Sequence, residues 1–256
     1  MTLRAAVKAG VIVSVSPDLL PVASEAGSLV RPRLALNLGI TRHRRNRLPP
    51  DVAPIRAQLA HVLQRIATEF CRLAAEGRSA PQAPLLRVVN SLALGADVMS
   101  AELALEQGFE LDVCLPFSPA EYARDFAEPA DRDHFDALLG RASLVIELPG
   151  SRAAEDAAYE AAGLTMLSLS DLVVAVWDGE PAAGRGGTAE IVARAVEEDV
   201  AVIYIPTDPA GAVEIIWAGL SVAPMGRQSL WTAPRCDFDG NVARLVAMLA
   251  ESRKSI

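Results

Sequence analysis

Short apolar runs alternate along this chain with stretches whose apolar positions recur every three or four residues. Leu34–Leu38, Leu85–Val89, Phe109–Leu115, Ser143–Leu148, Leu172–Trp177 and Val200–Ile205 are runs of the first kind, each closed by glycine, proline or a polar loop. Continuous apolar runs of this length predict strands buried on both faces, as in a parallel sheet. Between them, Ile55, Leu59, Val62, Leu63, Ile66 and Phe70 follow Pro54 with the spacing of one helix face, closed by Gly77. Further helices are expected from Val98 to Gly108, in fragments over 119–140 broken near Pro129, over 152–169 around Gly163, from Thr188 onward, and over Val242–Leu249. Strand and helix alternate throughout. The expected fold is therefore α/β and Rossmann-like, a mostly parallel sheet with helices on both faces.

Two segments resist this reading. Residues 1–33 are taken as an N-terminal extension, with Val11–Val15 a candidate edge strand, and 34–256 as a single domain. The stretch 209–236 has no clear period; Trp217 and Trp231 there suggest packing. The basic and apolar start, MTLRAAVKAGVIVSVS, is cut short by Pro17 and Asp18, which favours a strand or ordered extension over an export signal.

Composition narrows the function classes. The chain has 256 residues, 51% of them hydrophobic, enough for a sizeable aliphatic core. Its net charge of −8 argues against a nucleic-acid backbone as the main partner. No apolar run approaches a membrane span. Cys71, Cys114 and Cys236 are odd in number and widely spaced, with no metal-ligand pattern, which suits a reducing, cytoplasmic setting. Neither a cofactor nor a metal is expected.

In an open parallel sheet, ligands bind beyond the carboxyl ends of the strands, near a switch in strand order. Every polar loop of interest here follows a strand. The fifth run leads through Trp177 and Asp178 into a glycine-rich loop with Gly184, Gly186 and Gly187, and then into the helix that begins at Thr188. Such a loop sets backbone N–H groups and the positive helix end at one spot, suited to phosphate. Thr188 adds a hydroxyl. Glu190, in the first turn, either favours the helix dipole or grips a ribose. Asp178-Gly179 reads as a turn or a ligand contact, and Trp177 as core or, less readily, a base-stacking ring. The segment GITRHR after the first run offers Gly39, Thr41, Arg42, His43 and Arg44, a local attractor for an anion in an acidic protein. Gly39 is expected to let the chain turn tightly after the strand. Gly95 and Asp97 follow the second run; Asp97 is read either as an N-cap or as a ligand contact. Glu147 ends the fourth run, facing either a ligand or a structural arginine.

The run RVVNSLALGADVMSAELALEQGFELDVCLP resembles the central pattern of the DNA-processing protein A (Smf) family: a strand, a small-residue loop with Gly-x-Asp, a helix and another strand. The GGTAE element resembles the glycine-rich signature of the "lonely guy" phosphoribohydrolases. GITRHR looks like the opening of less studied branches of the SLOG superfamily, to which both families belong. The resemblance covers roughly Leu34–Ile205. It implies a Rossmann-like domain that binds a nucleotide or nucleotide-derived ligand, with Gly186, Gly187 and Thr188 on the phosphate. In the hydrolases an arginine and a glutamate cleave an N-glycosidic bond. Here Glu190 follows Thr188 by two residues where that signature has three, and Gly184-Arg185-Gly186 replaces Pro-Gly-Gly. Binding, as a sensor or binding module, is accordingly expected ahead of hydrolysis. If the chain is an enzyme, Glu190 and Asp97 are the expected catalytic carboxylates. Sensor branches of the superfamily act through effectors, which implies a partner protein, and homo-oligomers are expected of the superfamily.

Overall fold

The computed structural model describes residues 3–7, 10–16, 33–42, 48–76, 83–181, 187–221 and 228–252. They form one sheet of ten strands: β1 (Leu3–Val7), β2 (Val11–Val15), β3 (Ala35–Arg42), β4 (Leu85–Asn90), β5 (Glu110–Leu115), β6 (Leu144–Glu147), β7 (Leu172–Trp177), β8 (Ala201–Pro206), β9 (Glu214–Ile216) and β10 (Arg235–Asp237). Their lateral order is β1-β2-β6-β5-β4-β3-β7-β8-β9-β10. The six central strands, β6 to β8, pair in parallel. The two outer pairs are antiparallel. The mostly parallel Rossmann-like sheet expected from the apolar runs is therefore present.

Within the segment read as an N-terminal extension, residues 3–7 and 11–15 supply a hairpin. Val11–Val15 is not an edge strand, because β1 pairs on its outer side and β6 on its inner side. At the far side, β9 and β10 lie in the stretch that had no readable period.

The helices divide between the faces as the burial of alternate strand residues requires. Leu36, Leu38 and Ile40 of β3 and Leu172, Val174 and Val176 of β7 share one core with α1 (Ala53–Glu76), α2 (Ala96–Glu106), α4 (Pro129–Leu139) and α7 (Phe238–Ser252). The short α3 (Pro119–Tyr122) brings Tyr122 into the same core. Val173, Ala175 and Trp177 of β7 pack instead against α6 (Thr188–Glu197), beside α5 (Glu155–Ser168). All six residues of β7 are buried, which explains why its sequence shows no alternation.

This division fixes a switch point. From β3 the chain crosses over α1 to β4 on its left, and from β7 it crosses over α6 to β8 on its right, on the opposite face. Neighbouring β3 and β7 thus send their following helices to opposite sides. Their carboxyl ends border the crevice where ligands sit in folds of this class.

Gly39 corrects an expectation. It lies inside β3, three residues before the strand's end, and not at a turn after it. A Cβ there would stand 2.3 Å from Met166 Sδ and 2.4 Å from Ser170 Oγ. Glycine is required because the end of α5 packs directly on the strand.

Candidate functional site

At the switch point, β3 ends in Thr41 and Arg42 and β7 ends in Trp177. Thr41 is buried, 8% exposed, and by alternation it lies on the face that α6 covers. The side chain of Arg42, and all of His43, Arg44, Gly184 and Gly186, lie outside the described residues.

The helix α6 starts at this edge. Gly187 is its N-cap, in an extended conformation and with no side-chain cap. The carbonyl of Gly187 accepts from Glu190 N at 3.1 Å and from Ile191 N at 3.2 Å, closing the first turn. The N–H groups of Thr188 and Ala189 have no intrahelical acceptor and point out of the helix end. Thr188, the first helical residue, is 3% exposed, and its Oγ1 is buried without a hydrogen-bond partner. Leaving a buried hydroxyl unpaired costs about 1–3 kcal/mol. The orphaned hydroxyl therefore sits beside the unpaired N–H groups and the positive end of the dipole. Glu190 is half-buried in the same first turn.

The start of the glycine-rich loop is tightly built. Asp178 Oδ1 accepts from Glu180 N at 3.0 Å, and Gly179 takes φ 83°. Asp178-Gly179 is thus a turn. Trp177 is fully buried, and its Nε1 donates to the Glu180 carbonyl at 2.9 Å. Trp177 is therefore packed as core, the first of its two sequence readings.

The loop after β4, next to β3, is held from within. Asn90, fully buried, accepts from Leu92 N at 3.0 Å and donates to the Asp97 carbonyl at 3.0 Å and to Ser100 Oγ at 3.2 Å. Leu92 is buried with φ 53°, and Gly95 takes φ 106°. Gly95, and not Asp97, is the N-cap of α2. Asp97 stands in the first turn, 6% exposed, and its Oδ2 accepts from Ala93 N at 3.3 Å. One oxygen of this carboxylate is therefore spent on its own loop.

Glu147 is not brought into this group. It is buried at the end of β6, three strands from β3 and so roughly 14 Å away at about 4.8 Å per strand. It lines a separate cavity of about 410 Å³ with Gly10, Phe117, Glu121 and Gly150.

Trp231, which the sequence suggested as a packing residue, is not buried. It is 62% exposed and stands beside Trp177, ring centroids 6.5 Å apart. Its segment had no period that could place it. Among the described residues, no group of three or more His, Cys, Asp or Glu is placed to hold a metal ion, and no helix is long and apolar enough to cross a membrane. The three cysteines are free.

No family model and no curated protein matches the chain. Among solved structures it is similar to DNA processing protein A from Streptococcus pneumoniae, at 19% identity and TM-score 0.43, over 67% of this chain and 50% of that one. It is similar also to DNA processing protein A from Helicobacter pylori, described for its single-stranded DNA binding mode, at 18% identity and TM-score 0.40, over 80% of each chain. A third similarity is to the structural-genomics target TM1055, at 13% identity and TM-score 0.29, over 55% of this chain and 60% of that one. The match thus spans half the length of the pneumococcal protein. Since all three TM-scores lie below 0.5, the Rossmann-like architecture of this chain stands on its own strand order and crossovers.

Proposed function

We propose that this chain binds a nucleotide or nucleotide-derived ligand at the switch point between β3 and β7, with the ligand's phosphate at the start of α6, and that it works as a binding or sensor module. The observation that carries this reading is the buried, unpartnered Oγ1 of Thr188 at the first position of α6. A phosphate oxygen there accepts from the hydroxyl and from the free N–H groups together. The ligand would recover what the unpaired hydroxyl costs in the empty protein. A sensor of this kind passes its state to a partner protein.

Thermal-shift measurements test the reading. AMP, ADP-ribose or a cyclic nucleotide is expected to raise the melting temperature, and adenosine, which lacks the phosphate, is not. No stabilisation by any phosphate-bearing probe contradicts it. A single-stranded oligonucleotide is expected to give no gel shift at low salt, given the net charge of −8.

A second reading, cleavage or transfer at an N-glycosidic bond, draws on the half-buried carboxylate of Glu190 two residues beyond Thr188. It predicts release of free base from a nucleoside monophosphate, lost in Glu190→Gln. A flat progress curve over a broad nucleotide panel excludes it and leaves binding as the function.

A further inference from the structure

Resting on the binding site proposed above, we infer that Trp231 is the stacking platform for the ligand's base, so that the protein distinguishes a nucleotide from a bare sugar phosphate. Trp231 is the exposed large hydrophobic side chain of the described residues, at 62% exposure. It is held outward by a built turn. Thr232 N and Ala233 N both donate to the Ser229 carbonyl, at 3.0 and 2.9 Å, and Ser229 N donates to Thr232 Oγ1 at 3.1 Å. Leu230 before it is 5% exposed and Ala233 after it 8%. The turn is therefore anchored on both sides while the indole points to solvent.

One side of that indole is supported. Trp177 lies against it with planes at 52°, and Tyr204 meets Trp177 edge-on, centroids 5.7 Å apart. Arg235 in turn stands 5.5 Å over the Tyr204 ring. The ring is thus already ordered, and a ligand that stacks on it loses little conformational entropy in doing so.

Its position ties it to the phosphate site. Leu230 packs in the same buried cluster as Ala189, the second residue of α6, and as Trp177, the last of β7. The platform therefore stands at the carboxyl end of β7, against Trp177, and its turn joins the buried cluster that also holds α6. A base fits the surroundings better than a protein partner does. A protein interface needs a contiguous apolar patch, whereas among the described residues Trp231 is the one exposed large apolar side chain, with exposed Thr232 next to it. A lone, ordered aromatic ring beside an anion cradle matches a planar base carrying a phosphate.

Calorimetric titration with AMP and with ribose 5-phosphate, on the wild type and on Trp231→Ala and Trp231→Phe, tests the inference. Trp231→Ala is expected to weaken AMP by roughly 5- to 100-fold and to leave ribose 5-phosphate unchanged; Trp231→Phe keeps most of the AMP affinity. AMP is also expected to quench indole fluorescence in the wild type and not in Trp231→Phe, where the two remaining tryptophans are further from solvent. If Trp231→Ala weakens both probes equally, or neither, the inference is overturned while the phosphate site stands. If neither probe binds the wild type, the inference is overturned, and the phosphate site falls with it when ADP-ribose and a cyclic nucleotide fail as well.

Discussion

The indole N–H of Trp177 donates to the backbone carbonyl of Glu180 at 2.9 Å. This bond ties the last residue of the central buried strand to the start of the glycine-rich loop, so that strand and loop are set as one unit. Trp177→Phe keeps most of the packing and removes the donor. It is expected to cost roughly 2 kcal/mol of stability, from the lost hydrogen bond and a small cavity. It is also expected to weaken AMP more than it weakens the fold, because the loop then loses its fixed start. Urea denaturation and calorimetry on the same variant check both expectations.

Asn90 has a comparable role on the other side of β3. Its side chain holds Leu92 N, the Asp97 carbonyl and Ser100 Oγ together inside the protein. Leu92 takes a positive φ in the loop that this amide and the packing of its own side chain hold. Asn90→Ala leaves the buried Leu92 N–H unpaired and opens a small cavity, and is expected to lose about 2–3 kcal/mol. Ser100→Ala, which removes one acceptor of Asn90 and leaves the Asp97 carbonyl paired with that amide, is expected to cost markedly less. Equal losses in the two variants contradict this account of the loop.

Asp112 predicts a pH dependence. It lies on β5, 8% exposed, and burial pushes its carboxyl up to about 6, opposed by Arg87 at 3.8 Å and assisted by Glu110. The folded state therefore holds this proton more tightly than the unfolded chain does. Its stabilising effect is full below the unfolded value near 3.8 and is lost as pH rises through about 6. Asp112→Asn cannot titrate. Its stability relative to the wild type is expected to rise by on the order of 2 kcal/mol between pH 4 and pH 8. A pH-independent difference between the two proteins contradicts the shift.

Much of the fold was legible because it is written in local pattern. Leu172–Trp177 is apolar at every position and is buried at every position. The helix begins at Thr188, directly after the glycines, as that composition requires. What was not legible depends on tertiary neighbours. Gly39 reads as a strand breaker, yet it is kept small by Met166 and Ser170, far along the chain. Glu147 sits at a strand end like Thr41 and Trp177, but lateral strand order, which no local pattern carries, removes it from the switch point. β9 and β10 have three residues each, too few to show a period. Trp177, read first as core, is core, whereas Trp231, read as packing, is exposed. Trp177 is roofed by α6 and the segment around Leu230, while Trp231 remains at the surface.

Thr188→Val tests the account most directly. Valine fills the same volume and removes an unpaired buried hydroxyl. The empty variant should therefore be at least as stable as the wild type. Its affinity for AMP, measured by calorimetry, should fall roughly 10- to 100-fold, the worth of one hydrogen bond to a charged group. An unchanged AMP affinity in this variant, or a wild type that takes up no AMP or other phosphate-bearing nucleotide, contradicts a phosphate site at the start of α6.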